Sequence, residues 1–291
     1  MAHLDPEILA RINSLEWNAR RIVDGYLSGL HRSPQHGFSV EFAQHRDYVP
    51  GDDIRHIDWK VYGRSERFFL KQYELETNLV LWLLVDASES MRYASGSISK
   101  FDYAASAAAA LAYLALRQSD SCGLATFDAD VRAQARPSSH PTHLHDLLRL
   151  LAAGASTETS RIGSVLHTAA ERFSRRGIVV VFSDLLDEPA EILAGLQHLR
   201  YGRHEVVVFH VLDPAELDFP FRQATLFRGL EQLPDLLTDP LGVRDSYLEE
   251  LGRHLDELEQ GCRKHQIDYV RLNTNRDLGP ALAEYLAHRA K

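Results

Sequence analysis

The sequence has little cysteine and no excess of basic residues. Of the 291 residues only Cys122 and Cys262 are cysteines. No spacing suggests zinc, so we predict two core thiols in a reducing compartment. The net charge of -9 argues against nucleic acid as the main partner, because a phosphate backbone generally requires a concentrated basic face.

Long apolar runs are also missing. No stretch reaches the roughly 20 apolar residues that span a bilayer. The N-terminal segment lacks the basic stretch and uninterrupted apolar core of a secretory signal. It has the pattern of an amphipathic helix, with Asp5 as the cap and Pro6 at the first helical position. We therefore expect a cytoplasmic protein without a membrane span, whose first helix packs onto the protein.

Several catalytic signatures are absent as well. The chain contains no G-x-x-x-x-G-K-[ST] loop, no G-x-S-x-G elbow and no H-E-x-x-H helix. An apolar strand ending in Asp86 could present a nucleophilic carboxylate beside Mg2+, as in haloacid-dehalogenase-like phosphatases. Those enzymes usually have a second aspartate two positions on, where this chain has Ser88. We expect a protein that is not an enzyme, with a magnesium-dependent phosphatase-like hydrolase as an alternative.

Apolar segments typical of buried strands alternate with helical patterns. The clearest strands are LVLWLLV at 79–85, IVVVF at 178–182 and EVVVFHVL at 205–212. An Ala-rich helical pattern from Lys100 to Arg117 follows the first of them. Such alternation predicts an α/β fold, with a doubly wound, mostly parallel sheet covered by helices on both faces.

Two segments depart from this alternation. Residues 37–78 alternate polar and apolar side chains around a Pro-Gly turn, which predicts a small β-rich accessory region. Residues 214–242 are interrupted by prolines, and we assign them to the accessory region as well. The division is therefore an N-terminal helix in 1–36, the accessory region, and a main α/β domain formed by 79–213 and 243–291.

Oxygen-bearing side chains follow two of the predicted strands. Asp86, Ser88 and Ser90 form a D-x-S-x-S run after the first strand, and Ser183 and Asp184 follow IVVVF. Open α/β sheets place ligand sites at the carboxyl ends of their strands. Hard oxygen ligands suit Mg2+ or Mn2+. The sequence therefore predicts a site for one divalent cation.

A third loop adds hydroxyl groups to this set. The stretch STETS precedes the helical pattern that starts at Ile162, and it offers Thr157, Thr159 and Ser160. The structural alternative is that Asp86 and Ser88 cap the next turn, while Asp184 caps the helix that starts at Pro189.

These loops and the order of elements around them resemble the metal-ion-dependent adhesion site of von Willebrand factor A domains. The resemblance implies one divalent cation whose open coordination position accepts a carboxylate from a protein partner. By position, Asp86, Ser88 and Ser90 match the first loop and Asp184 matches the last. Ser160-Arg161-Ile162-Gly163 places serine where that family usually has threonine, and Thr159 or Thr157 could substitute.

A second resemblance runs from about residue 20 to the end. The segment FAQHRDYVPGDDIRHIDWKVYGRSERFFLKQYELE is similar to the hallmark of the bacterial family called domain of unknown function 58. Later segments such as VVVFSDLLDEPAEIL and CRKHQIDYVRLNT agree with that family. The resemblance implies a von Willebrand A-like domain with a β-rich extension. It also implies association with MoxR-type AAA+ ATPases, which are thought to act as chaperones or maturation factors.

The expected function is thus that of a metal-dependent, non-catalytic adaptor. It would bind a protein client and work with a MoxR-type AAA+ ATPase. The alternative is a metal-independent scaffold in which the turn carrying Asp53, Arg55, Asp58 and Trp59 provides recognition. The structural interpretation of that turn is a charged connection that locks the accessory strands.

Overall fold

The computed structural model describes residues 6–29, 41–47, 61–63, 68–74, 80–231 and 233–289. The chain divides into two compact units, one formed by 1–29 with 79–291 and the other by 30–78. Residues 214–242 therefore group with the larger unit and not with the β-rich region that precedes β3. The N-terminal helix belongs to the larger unit too.

The helices, in chain order, are α1 (Pro6–Gly29), α2 (Lys100–Arg117), α3 (His143–Ala152), α4 (Ile162–Arg172), α5 (Pro189–Tyr201), α6 (Pro214–Asp218), α7 (Pro240–Lys264) and α8 (Leu278–Arg289). The strands are β1 (Glu41–Asp47), β2 (Phe69–Glu74), β3 (Val80–Asp86), β4 (Ser121–Phe127), β5 (Val131–Ser138), β6 (Gly177–Ser183), β7 (Glu205–Leu212), β8 (Thr225–Phe227), β9 (Leu236–Thr238) and β10 (Asp268–Asn273). In the described ranges, no helix is long and apolar enough to cross a membrane.

The larger unit is built on a six-stranded sheet in the order β10-β7-β6-β3-β4-β5. Every neighbouring pair is parallel except β4 and β5. The prediction of a mostly parallel, doubly wound α/β fold is confirmed. The chain runs from β3 outwards to β5 and then returns to β6 on the other side of β3, which makes the end of β3 a topological switch point.

Helices cover both faces of this sheet. On one face, Ile12 and Val23 of α1 and Leu147 of α3 share a buried cluster with the alanines of α2. Small side chains let α2 approach the strands closely, which explains the Ala-rich pattern. On the other face, Leu166 of α4 and Leu196 of α5 lie in a second cluster, which also includes Cys262. Cys122 and Cys262 are buried free thiols, and burial raises the pKa of each to about 12.

Helices α4 and α5 meet at two glycines. A Cβ atom added to Gly195 would lie 2.7 Å from Cβ of Leu166 and 3.0 Å from the carbonyl oxygen of Gly163. A Cβ atom on Gly163 would lie 3.1 Å from Cβ of Glu191. The absence of side chains at these positions sets the separation of the two helices.

The smaller unit contains the antiparallel pair β1 and β2. Its register shifts between Phe42 and Gln44, which marks a bulge. In the same unit the rings of Tyr62 and Phe68 are stacked with their centroids 4.4 Å apart. The turn of Asp53, Arg55, Asp58 and Trp59, proposed as a recognition surface, lies outside the described residues.

Candidate metal centre

Three loops converge at the carboxyl ends of β3 and β6. These strands are parallel neighbours, with Val85 paired to Phe182. The first residues beyond their ends therefore lie side by side. Asp86 ends β3 and Asp184 directly follows β6. The loop before α4 contributes Ser160 from a third direction.

Asp86 is fully buried, and every hydrogen bond described to its carboxylate comes from a neutral group. Oδ1 accepts a hydrogen bond from the backbone N–H of Ser88 at 2.9 Å. Oδ2 accepts from the hydroxyl of Ser183 at 2.6 Å and from that of Ser160 at 3.3 Å. Burial, and next the negative charge of Asp184, raise the pKa of Asp86 to about 7. The carboxylate therefore lies where a cation would be strongly favoured.

The remaining hydroxyls of the first loop continue this oxygen-lined path towards Asp184. The Oγ atoms of Ser88 and Ser90 are 3.1 Å apart, and the Ser90 side chain contributes to lowering the pKa of Asp184. Asp86, Ser88, Ser90 and Asp184 are all buried. The structure therefore brings together both aspartates and both serines named from the sequence.

In the third loop, Ser160 is the residue whose hydroxyl contacts Asp86. Thr157 is exposed, and Thr159 and Ser160 are both partly buried, so the contact with Asp86 is what distinguishes Ser160. The geometry favours Ser160 as the middle oxygen donor. The glycine that follows in Ser160-Arg161-Ile162-Gly163 allows the close contact between α4 and α5, which positions this loop.

Lys100 was not identified as part of the site from the sequence. Its ammonium lies 2.7 Å from Oδ2 of Asp184 and 2.6 Å from Oε1 of Glu216. Burial favours the neutral amine, yet the two carboxylates raise the pKa of Lys100 above its ordinary value. Burial alone would raise the pKa of Asp184, but attraction to Lys100 outweighs it and the pKa of Asp184 lies below its ordinary value.

Glu216 has a second role at the start of α6. Asp213 and Glu216 form a capping box, in which the Glu216 carboxylate also accepts a hydrogen bond from the Asp213 N–H at 2.8 Å. The contact of Glu216 with Lys100 was missed, because residues 116 positions apart leave no local pattern.

His210 on β7 fixes the backbone of the last loop. Its Nε2 atom lies 2.7 Å from the carbonyl oxygen of Asp184 and its Nδ1 atom 2.6 Å from the hydroxyl of Tyr269. Burial lowers the pKa of His210 to about 3. The imidazole is therefore neutral, with Nε2–H donating to Asp184 and Nδ1 accepting from Tyr269.

Glu231 reaches the centre from the loop between β8 and β9. Its Oε2 atom accepts a hydrogen bond from the N–H of Ser160 at 3.2 Å, and Oε1 accepts from the N–H of Ser90 at 3.4 Å. Nothing in the local sequence of this Pro-containing loop indicated such a position. The carboxylate thus accepts hydrogen bonds from the backbone of two loops of the candidate metal centre.

The donor set fits a small, hard cation. In the described part of the chain, no group of three or more His, Cys, Asp and Glu side chains is placed to hold a metal ion. The set here instead combines two buried aspartates with the hydroxyls of Ser88, Ser90 and Ser160. Mg2+ keeps several waters and uses one or two carboxylates, so this composition suits Mg2+ or Mn2+.

Comparison with known proteins identifies the family. The model of the family described as "Protein of unknown function DUF58" matches residues 44–254. The uncharacterized protein Rv1480 of Mycobacterium tuberculosis is 28% identical over 294 residues, which cover 99% of this chain and 91% of that protein. The uncharacterized protein Mb1516 of Mycobacterium bovis matches with the same identity and coverage.

Two solved structures show weaker likeness. The hypothetical protein BatB of Bacteroides thetaiotaomicron has a TM-score of 0.48 and 16% identity, covering 73% of this chain and 98% of that one. The von Willebrand A domain of SpRpn10 has a TM-score of 0.40 and 10% identity, covering 72% and 94% of the two chains. Neither likeness bears on function. The family model, in contrast, spans well over half of the sequence, and the chain therefore belongs to the DUF58 family.

Proposed function

We propose that this protein is a non-catalytic, metal-dependent protein-binding adaptor of the cytoplasm. One divalent cation would be held by Asp86, Ser88, Ser90, Ser160 and Asp184, and it would bind a carboxylate of a partner. The observation that supports this most directly is the buried carboxylate of Asp86, whose described hydrogen bonds all come from neutral donors. Burying such a charge is costly unless a cation accompanies it.

The charges around the site support a binding role. Hydroxyl ligands add no negative charge to an ion, and Lys100 already offsets part of the charge of Asp184. A bound dication would therefore remain electrophilic enough to attract an acidic side chain. The same geometry supports Asp86 as a metal ligand and not as a nucleophile. Both of its carboxylate oxygens accept hydrogen bonds, and the residue is buried.

The test of ion binding is calorimetric titration of Mg2+ and Mn2+ into chelator-stripped protein. Asp86→Asn keeps the shape of the side chain and removes its charge. Asp245→Asn is the matched control, because the Asp245 side chain is 99% exposed. We expect wild type and the control to bind at millimolar ion and Asp86→Asn to lose binding. Absence of both a heat and a melting-temperature shift in wild type would reject the metal centre.

The partners proposed are a MoxR-type AAA+ ATPase and a protein client. The ATPase is suggested by the family resemblance, and the metal centre offers one surface for either partner. Retention of a purified MoxR-type ATPase on the immobilised protein would be measured with Mg2+ and with chelator. Loss of retention in chelator and in Asp86→Asn is expected. Equal retention under all three conditions would favour the metal-independent scaffold for that contact.

A further inference from the structure

Among the described residues of the loop between β8 and β9, Glu231 contacts both loops that flank the candidate metal centre. Its carboxylate accepts from the N–H groups of Ser160 and Ser90 at 3.2 and 3.4 Å. Its own N–H donates to Oε2 of Glu89 at 2.7 Å. Glu89 lies between the two serines of the D-x-S-x-S run. Three hydrogen bonds thus attach a single residue to this site.

The loop itself is folded around Glu231. The N–H of Leu233 donates to the carbonyl oxygen of Leu230 at 3.1 Å, and the N–H of Gly229 donates to Oδ1 of Asp235 at 3.0 Å. A Cβ atom on Gly229 would lie 1.9 Å from the carbonyl oxygen of Leu233, so only glycine fits there. Glu231 has a φ of 56°, a left-handed conformation that is unfavourable for a residue with a side chain.

The position of this carboxylate is not explained by charge pairing. Within the described residues, no ion pair involves Glu231; its described side-chain hydrogen bonds come from backbone N–H groups. The nearby carboxylate of Glu89, which accepts a hydrogen bond from the Glu231 N–H, adds negative charge. An acidic side chain placed here therefore gains from directed N–H donors, the arrangement of a carboxylate-binding seat.

We propose that Glu231 is a built-in competitor that occupies the carboxylate seat formed by the N–H groups of Ser90 and Ser160, and that an acidic partner segment displaces it. This inference deepens the proposed function, since the seat adjoins the metal centre. The segment of this chain that occupies the seat is a glutamate with Leu230 before it and Leu233 two positions after it. Leu233, Leu236 and Leu237 of the same loop and strand are exposed apolar side chains. The partner is therefore a peptide segment that presents an acidic side chain to these two N–H groups.

The experiment uses a fluorescein-labelled peptide that copies residues 225–238 of this chain. A second peptide differs only in glutamine at the position of Glu231. Fluorescence anisotropy would measure binding to wild type, to Glu231→Ala and to the control Glu171→Gln. Glu171 is an exposed glutamate in the last turn of α4, the helix that follows the loop of Ser160. Each titration is run with Mg2+ and again with chelator.

Removal of the internal carboxylate should open the seat. We expect Glu231→Ala to bind the glutamate peptide about tenfold or more tightly than wild type and Glu171→Gln do, and the glutamine peptide to bind weakly. Equal binding by wild type and Glu231→Ala, or equal binding of the two peptides by Glu231→Ala, would overturn the proposal. So would failure of the glutamate peptide to bind Glu231→Ala.

Backbone hydrogen exchange gives an independent measurement on the unliganded protein. The amides of Ser90 and Ser160 should exchange faster in Glu231→Ala than in wild type, while the core strand β6 stays protected. Unchanged exchange at both serines would mean that Glu231 does not occupy the seat in solution. Failure of the metal proposal has a separate signature, because loss of ion binding in calorimetry does not affect the peptide difference measured in chelator.

Discussion

The ammonium of Lys100 and the carboxylate of Asp184 form an ion pair of 2.7 Å in which neither side chain is more than 1% exposed. Lys100 is also the first residue of α2, where the helix dipole disfavours a positive charge. The pairing with Asp184 and Glu216 outweighs that cost. The candidate metal centre therefore borders a permanent cation that belongs to the chain itself.

Lys100→Met should destabilise the protein strongly, because it leaves two carboxylates without their shared partner. Breaking a buried pair costs on the order of 3–5 kcal/mol. Arg117→Met is the contrasting control, since Arg117 and Asp24 form an ion pair with side chains 49% and 60% exposed, worth about 0–1 kcal/mol. Urea unfolding of both variants measures the difference. A similar decrease in the free energy of unfolding in the two variants would show that the buried ion pair contributes no more to stability than the exposed one.

Ser160→Ala should weaken ion binding, because Ser160 is the hydroxyl of its loop that contacts Asp86. Loss of a group that orients or supplements a metal ligand typically reduces affinity by about 10–100-fold, and we expect roughly tenfold. Thr157→Val is the control from the same loop, because Thr157 is exposed. Calorimetry with Mg2+ distinguishes them, and a larger loss in Thr157→Val would reassign the middle ligand.

Gly195→Ala should destabilise the larger unit although alanine is the better helix former. The new Cβ atom would lie 2.7 Å from Cβ of Leu166, and overpacking of this kind costs about 1–3 kcal/mol. Gly252→Ala in α7 meets nothing within 4 Å and should stabilise by up to about 1 kcal/mol. Thermal or urea unfolding that gave the same sign for both variants would contradict the packing argument.

Stability should fall as the pH drops below about 6.5, in part because of His204. Burial lowers the pKa of His204 below its ordinary value, and its Nε2 atom contacts the carbonyl oxygen of Phe173 at 3.1 Å. Below about pH 6.5 the unfolded chain takes up a proton that the folded protein does not. The contribution of His204 is therefore present above that pH and is lost as the pH falls, with a slope of at most about 1.4 kcal/mol per pH unit.

The pH effect is measured by urea unfolding of wild type and His204→Gln between pH 8 and pH 5. Glutamine keeps an N–H donor and removes the titration. The free energy of unfolding of His204→Gln should change less steeply with pH than that of wild type. The exposed histidine in His145→Gln controls for the loss of one imidazole. A slope in His204→Gln as steep as in wild type would assign the acid sensitivity to other groups.

The parallel sheet was predictable because each of its central strands is a short apolar run. LVLWLLV became β3 and IVVVF became part of β6, next to each other. Once these strands are neighbours, the residues after them must share an edge of the sheet. The proximity of Asp86 to Asp184 follows from strand order, which is why the sequence placed both in one site.

The charged groups that complete the site were not predictable in the same way. Lys100 has the sequence context of a helix start, and Glu216 that of a capping box. Glu231 lies in a segment interrupted by prolines, and its sequence did not indicate a contact with the loops of Ser90 and Ser160. Each reaches the centre through contacts between residues far apart in the chain, and such pairings leave no periodic pattern.

The loop that carries Glu231 is short, and it is closed at its base by the pairing of Phe227 with Leu236. A group held on so short a tether meets its site at an effective concentration on the order of millimolar, whatever the concentration of the protein. Dilution therefore does not empty the seat. One proteolytic cut in the loop would leave Glu231 on a free chain end, no longer held next to Ser90 and Ser160 by a closed loop. The occupancy of the seat is thus set by chain connectivity.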